Sequence, residues 1–133
     1  MKLTRASNYA LHAVAYLAAK KSDKPIASHK VAKACGIYER FLLKVLKPLV
    51  SIRVLTSIKG PNGGYKLAKP ASEISVLDII QAANDSEIRG EAPFTDPKNP
   101  ALNKKIDGVC AHAAGLVRDY LQKTKLSDLV GKR

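Results

Sequence analysis

Hydrophobic positions recur at helical spacing through most of the chain, and one short run of β-branched residues interrupts that pattern. A first helix is predicted to begin after Thr4, with Leu3 packing just before it. Its inner side carries small and branched apolar residues that are spaced three and four apart. These inner positions are Ala10, Ala13, Val14 and Leu17.

Residues 28–50 predict two helices that are joined at a glycine. Ser28 is the expected N-cap of a short helix that ends near Cys35, and Gly36 supplies the turn. A second helix is expected from about Tyr38 to Val50. Two helices joined in this way form a helix-turn-helix, in which the second helix crosses the first closely. The small residue, the turn residue and the core anchor that this motif requires are Ala32, Gly36 and Leu42.

The second of these helices has two contrasting faces. The basic one carries Arg40, Lys44 and Lys47, spaced by four and three. A helical hairpin with a solvated basic face would look the same, so this face alone leaves both interpretations open. Pro48 lies inside the helix and is expected to kink it or to weaken its last turn. The opposite, apolar face consists of Phe41, Leu42, Val45, Leu46 and Leu49.

The sequence KGPNGGYKLAKP, residues 59–70, brings glycines and lysines together as phosphate-binding loops do. It has neither the spacing of a P-loop nor that of a dinucleotide-binding fingerprint. β-branched residues precede it at 54–58 and YKLA follows at 65–68, which predicts a β-hairpin. Asn62, Gly63 and Gly64 are expected to take the positive φ of its turn, with Lys59 at a basic tip. A helix-turn-helix followed by such a hairpin is a winged helix.

Two further helices are predicted after the hairpin. Ser75 is the expected N-cap of the first, with Asp78 in the position of a capping-box acid. Residues 84–100 contain three prolines and predict a long loop, which is either functional or mobile. A long helix is expected at 101–122, followed by a short turn or helix in TKLSDLV. The inward positions of the first of these helices are Ile74, Leu77, Ile80 and Ala83.

The long helix carries an apolar stripe that exceeds what one small domain needs to cover its core. On a monomer this stripe would be an exposed patch of the kind that marks an interface, so it predicts a homodimer. The alternative is that the helix folds back on its own winged domain. The predicted domains are a winged helix-turn-helix at 1–83, a loop at 84–100, and a dimerisation helix with a C-terminal cap at 101–133. The stripe consists of Leu102, Ile106, Val109, Ala113, Leu116 and Tyr120.

The charge of the 133-residue chain is +12 and is unevenly distributed. Residues 1–70 hold 14 Lys and Arg against 2 Asp and Glu, whereas residues 71–133 hold 9 of each. A one-sided positive surface is typical of proteins that bind polyanions. A membrane surface is not the expected partner, because there is no lipidation motif and no apolar run near 18 residues. The two cysteines make no disulfide framework, which favours a cytoplasmic protein over a secreted one.

Four segments resemble one family of bacterial winged-helix regulators, the family that includes IscR, NsrR and CymR. They are MKLTRASNYALHAVAYLA, GPNGGYKLAKP, ISVLDIIQAA and TKLSDLV, and together they span nearly the whole chain. The resemblance implies a dimeric repressor or activator that binds double-stranded DNA. It also implies that the second helix of the motif enters the major groove, that the wing reaches the minor groove, and that the long helix forms the dimer.

The resemblance places Tyr38, Arg40 and Lys44 at DNA-facing helix positions and Lys59 where an arginine is usual in the wing. Lys47 and Asn62 complete the predicted DNA-binding set. The lysine keeps the charge but lacks the planar guanidinium, so minor-groove affinity is expected to differ. Tyr38 stands where a small hydroxyl residue is common, which changes the expected operator contacts.

No cofactor is expected. Members of this family that bind an iron–sulfur cluster resemble one another in carrying three cysteines before the long helix, whereas residues 84–109 contain none. Cys110 matches at most the third of them, and a packed interface thiol is a better interpretation of it than a redox sensor. His12, His29 and His112 lack metal-binding spacing, so no metal site is expected.

The sequence therefore predicts a mainly α protein with a small β-hairpin that acts as a sequence-specific transcriptional regulator, expected to be a repressor. The alternative is a regulator controlled by a protein partner, a small effector or thiol redox at Cys110, with loop 84–100 as the binding segment. An enzyme is not expected, because the chain shows no nucleophile–base constellation and no cofactor loop.

Overall fold

The computed structural model describes residues 3–20, 23–84, 88–90 and 92–131. It is mainly α-helical with one two-stranded hairpin, and it has the predicted winged helix-turn-helix followed by a long C-terminal helix. The elements in chain order are α1 (Arg5–Lys20), α2 (Ser28–Cys35), α3 (Glu39–Ser51), β1 (Leu55–Ile58), β2 (Gly64–Leu67), a 3-10 turn (Ala71–Glu73), α4 (Val76–Asn84), α5 (Pro100–Lys123) and α6 (Leu126–Val130).

Helix α1 is the centre of the core, where it contacts α2, α3, α4 and α6. All four predicted inner positions are buried, which confirms the helical periodicity. The prediction for Leu3 was wrong, because its side chain is exposed and the start of α1 is instead fixed by polar contacts. The hydroxyl of Thr4 accepts the Ser7 N–H at 3.1 Å, and the buried Ser7 hydroxyl donates to the Ile80 carbonyl at 3.2 Å.

The turn of the helix-turn-helix is closed at Gly36, which has the left-handed φ of 69°. The Ile37 N–H donates to the Ala32 carbonyl at 2.9 Å, which gives a Schellman ending with an apolar residue after the glycine. Ser28 is not the N-cap as predicted, since Ala27 takes that position. The Ser28 hydroxyl instead donates to the Glu39 carboxylate at 2.6 Å, a charge-assisted bond that joins the starts of α2 and α3.

The wing is an antiparallel hairpin in which Leu55 pairs with Leu67 and Ile58 with Gly64. Its turn is closed by the Gly63 N–H, which donates to the Gly60 carbonyl at 3.0 Å. Positive φ values occur at Gly60 and Gly64 but not at Asn62 or Gly63, so the predicted turn residues were only partly right. The Gly63–Gly60 hydrogen bond makes Asn62 the third residue of the turn, and its φ is not positive, as is usual in a type I turn.

Helix α4 starts as predicted, with the Asp78 N–H donating to the Ser75 hydroxyl at 3.1 Å. Ile74, Leu77 and Ile80 are buried and Ala83 is half-buried, while the fully buried Ile79 was missed. Pro48 lies inside α3, which continues beyond it to Ser51.

The C-terminal helix α6 packs back on the winged part of the molecule. Leu126 is fully buried in the main core, and its N–H donates to the Ile74 carbonyl at 2.8 Å. A β-bridge between Ser75 and Lys125 joins the same two segments. The predicted domain boundaries stay a prediction. Leu126, from the predicted segment 101–133, completes the core of the winged helix-turn-helix predicted at 1–83.

The described part of the loop between α4 and α5 lies against α5. A Cβ atom on Gly90 would lie 1.8 Å from the Cys110 carbonyl oxygen, so only glycine fits there. The Asp96 N–H donates to the Asn103 side chain at 2.9 Å, and the Asn99 side chain caps α5. In the described ranges, no helix is long and apolar enough to cross a membrane.

Candidate nucleic-acid interface

The outer side of α3 presents the predicted basic residues to solvent. Arg40, Lys44 and Lys47 are all exposed, while Leu42 and Leu46 on the opposite side are fully buried. The side chains of the three cations make no ion pair or hydrogen bond with any residue that the structure describes. The positive charge of this side is therefore available to an external anion.

An aromatic pair stands at the start of the same helix. Tyr38 is 80% exposed, and its ring meets that of Phe41 edge-on with 6.3 Å between the centroids. The prediction that Phe41 faces the core was wrong, because it lies at the margin of the stripe and is 51% exposed. Helical periodicity alone cannot distinguish this marginal position from the buried positions of the apolar stripe.

The wing carries two of the predicted DNA-binding residues. Lys59, directly after β1, and Asn62, in the turn, are both exposed. The wing is anchored to the segment before α2 by the bridge between Ile26 and Tyr65, whose two backbone hydrogen bonds are both 2.9 Å long. A Cβ atom on Gly64 would lie 2.2 Å from the Ile26 carbonyl oxygen, so this close approach requires glycine. We call Arg40, Lys44, Lys47 and Lys59 the basic face.

Acidic residues do little to offset this charge. The first 70 residues contain only Asp23 and Glu39, and the carboxylate of Glu39 already accepts the hydrogen bond from Ser28. Because the part of the chain that carries the basic face holds so few acids, its net charge is attractive to a polyanion.

A groove between the wing turn and the start of α2 extends the basic surface in a way that sequence reasoning missed. Lys20 and Lys30 line it together with Asn62. The Lys20 ammonium lies 5.2 Å from the centre of the Tyr16 ring, which holds it beside the groove. Only the uneven charge of the two halves could have hinted at these lysines, because tertiary contacts bring them together.

The six predicted dimer residues all lie on the exposed side of α5. Val109 and Tyr120 are each 70% exposed, and Ala114 is the buried residue of this 24-residue helix, which is about 36 Å long. A shallow apolar groove runs past Gly108, Ala113 and Leu116. We call this stripe, Leu102, Ile106, Val109, Ala113, Leu116 and Tyr120, the apolar face of α5.

The two cysteines lie on different helices. Cys35 is half-buried on α2, where burial raises the pKa of its thiol, and Cys110 is half-buried on α5. Among the described residues, no three His, Cys, Asp or Glu side chains are grouped as they would be to hold a metal ion.

A family model described as Rrf2, an iron-dependent transcriptional regulator, matches residues 3–132. Protein aau3 from Rhizobium meliloti is 33% identical to this chain, over 94% of this chain and 87% of aau3. The structure of CymR, the global cysteine regulator of B. subtilis, matches with a TM-score of 0.77 at 25% identity, over 98% of this chain and 96% of CymR. CymR from Staphylococcus aureus matches with a TM-score of 0.74 at 27% identity, over 98% of each chain.

The iron dependence in that description does not fit the cysteines of this chain. The whole sequence has two, Cys35 and Cys110, and residues 84–109 contain none. Since an iron–sulfur cluster is held by several thiolates or equivalent ligands, the loop before α5 cannot provide a set of three cysteines.

Proposed function

We propose that this chain, which belongs to the Rrf2 family of transcriptional regulators, is a sequence-specific repressor that binds double-stranded DNA as a homodimer. The observation that carries the proposal is the basic face, which is exposed, unpaired within the described chain and shared by a helix and a wing. A helix of this kind fits the major groove, where base edges present a distinct pattern for each base pair.

The side chains divide into two roles in this proposal. Arg40, near the start of α3, is the residue suited to reading a guanine edge with two parallel hydrogen bonds. Lys44 and Lys47 lie along the same exposed side and neutralise phosphates, as does Lys59 from the wing. The Tyr38 ring, exposed beside Phe41, packs against the sugar–phosphate backbone or a thymine methyl.

The apolar face of α5 supports the homodimer. Its six side chains are exposed on the monomer, and covering them with a second copy removes an apolar patch from water. The small residues Gly108 and Ala113, which line the groove on this face, allow two helices to approach closely. Two copies related by a two-fold axis present two recognition helices, which suits an operator with half-sites about 34–36 Å apart.

We also propose that the regulator works without an iron–sulfur cluster, because the loop before α5 lacks cysteine ligands. Protein purified without oxygen should be colourless and should contain no stoichiometric iron and sulfide by elemental analysis. A brown preparation whose colour disappears in Cys110→Ala would contradict this. The matched control is Cys35→Ala, which replaces the other thiol.

The test of the proposed function is selection of genomic fragments by purified protein, followed by sequencing. We expect enrichment of one motif with two-fold symmetry and half-sites about one helical turn apart. Lys104→Ala, which removes an exposed charge on α5, should select the same motif, whereas Arg40→Ala should not. Enrichment without a shared motif would contradict sequence-specific binding.

Repression is tested by deleting the gene, which should raise transcription from the bound promoters. A decrease in transcription from these promoters would contradict repression.

A further inference from the structure

A pocket of about 280 Å³ is lined by residues of α1, β2 and the segment between α1 and α2, and none of the four basic-face residues lines it. Its apolar wall includes Leu17, Ala18 and Pro70. This volume is at the small end of the range for ligand-binding cavities and suits a compact molecule.

The polar side of this pocket is positively charged. Lys66 and Lys69 line it and are both half-buried. Their side chains make no ion pair or hydrogen bond within the part of the chain that the structure describes. Asp23 and Lys24 also line the pocket. Among the described residues Lys66 and Lys69 have no ion-pair partner, so an anion that binds between them gains charge-assisted hydrogen bonds.

The backbone of β2 adds a donor at the same place. Tyr65 exchanges both of its backbone hydrogen bonds with Ile26. Because the direction of backbone groups alternates along an antiparallel strand, the N–H and C=O of Leu67 point to the same edge. The bridge at this edge is limited to Ile26 and Tyr65 in the described residues, so the edge at Leu67 has no strand partner there.

We propose that this pocket binds a small organic anion, with a carboxylate or phosphate group attached to a compact apolar body. The anionic group lies between Lys66 and Lys69, within reach of the Leu67 N–H, and the apolar body packs on Leu17 and Pro70. Strand β2 leads from this pocket to the wing turn, so the site is suited to an effector that alters DNA binding. Only the effect on DNA binding depends on the proposed function; binding of the anion does not.

The site is tested with phenyl phosphate, which combines both features, against inorganic phosphate and benzyl alcohol, which each have one. Titrations into the full chain are followed by amide chemical shifts in NMR spectra. We expect saturable shifts at Ala18, Ile26 and Leu67, with phenyl phosphate binding more tightly than either control. Absence of saturable shifts at these amides would overturn the proposal.

Variants separate the pocket from general attraction of anions to a basic protein. Lys66→Gln and Lys69→Gln should each weaken phenyl phosphate binding roughly tenfold, since each removes one charged hydrogen bond. Lys44→Gln, which removes the same charge from α3, should leave it unchanged. If all three variants weaken binding equally, the binding is non-specific attraction and the proposed site is wrong.

The effector role is tested by measuring operator affinity with and without saturating phenyl phosphate. A change in affinity supports that role. Saturable binding with unchanged operator affinity refutes the effector role but leaves the binding site standing.

Discussion

The basic face and the apolar face of α5 are both exposed, but water solvates them very differently. Lysine and arginine head groups remain hydrated, so the basic face is stable without a partner and its field is screened by salt. Apolar side chains on α5 disfavour contact with water by about 25 cal/mol for each Å² exposed. The basic face therefore suits a partner that binds and dissociates readily. The apolar face of α5 suits a partner that remains bound.

This difference bears on how the two proposed contacts of the protein depend on conditions. DNA binding through the basic face releases counterions and weakens as salt rises. Dimerisation through the apolar face of α5 is driven by burial of apolar area, which salt does not weaken.

The largest effect is expected from salt. If the dimer neutralises six to ten phosphates, DNA affinity should fall by roughly 10³–10⁵ between 50 and 200 mM salt. The dimer dissociation constant should stay constant or decrease over the same range, because its contacts are apolar. Fluorescence anisotropy with labelled duplex and sedimentation at matched salt concentrations measure the two quantities. A parallel fall of both would show that one surface serves both contacts.

The next effect comes from placing charges in the proposed dimer interface. Ile106→Glu combined with Leu116→Glu would bury unpaired carboxylates and should give monomers by sedimentation. Operator binding should weaken by roughly 100-fold or more, since about 3 kcal/mol corresponds to that factor. The circular dichroism spectrum should show the winged part still folded. The control, Ala101→Glu with Gln122→Glu, adds the same charges outside the apolar face and should remain dimeric. If the control is also monomeric, the dimer interface is not limited to the apolar face of α5.

A smaller effect is expected at one residue of the basic face. Arg40→Ala should cost about 1–3 kcal/mol of binding free energy and relax specificity at one base pair, if the guanidinium reads a base edge. Competition binding with single-base operator variants measures both. Lys104→Ala is the control because it removes an exposed charge from α5. Uniform weakening on all operator variants would instead assign Arg40 to phosphate contact.

The smallest effect is expected at the wing. Lys59→Ala should weaken binding to all sequences alike and reduce the slope of log K against log salt by about 0.9, because one phosphate contact is lost. Lys59→Arg retains the charge and should keep the slope while strengthening binding to a narrow minor groove. Salt titrations of the three proteins provide the comparison. An unchanged slope in Lys59→Ala would mean that the wing lysine does not touch the phosphates.

Much of the fold was predictable because periodicity and turn residues act locally. The inner side of α1, the left-handed turn at Gly36 and the hydroxyl cap of α4 at Ser75 all follow from short-range rules. Ser28 was misassigned because its hydroxyl bonds to Glu39, which is 11 residues away. Local rules for capping cannot weigh such a tertiary competitor.

The candidate site was predictable only where it lies on one element. The exposed lysines of α3 could be read from their spacing, and all of them lie on the outer side. Lys20 and Lys30 could not, because the groove that they line exists only once the Ile26–Tyr65 bridge has brought the wing to α2. Phe41 was placed wrongly because its accessibility depends on how far the neighbouring elements cover α3.

The burial of Leu126 has a consequence for the order in which the protein becomes active during synthesis. This side chain is fully buried in the main core, and the Ser75–Lys125 bridge fixes its backbone. The ribosome completes the wing and α3 long before it reaches this residue. The core can therefore close only after α5 has been made, so a nascent chain acquires the whole of α5 before its winged part is fully stable.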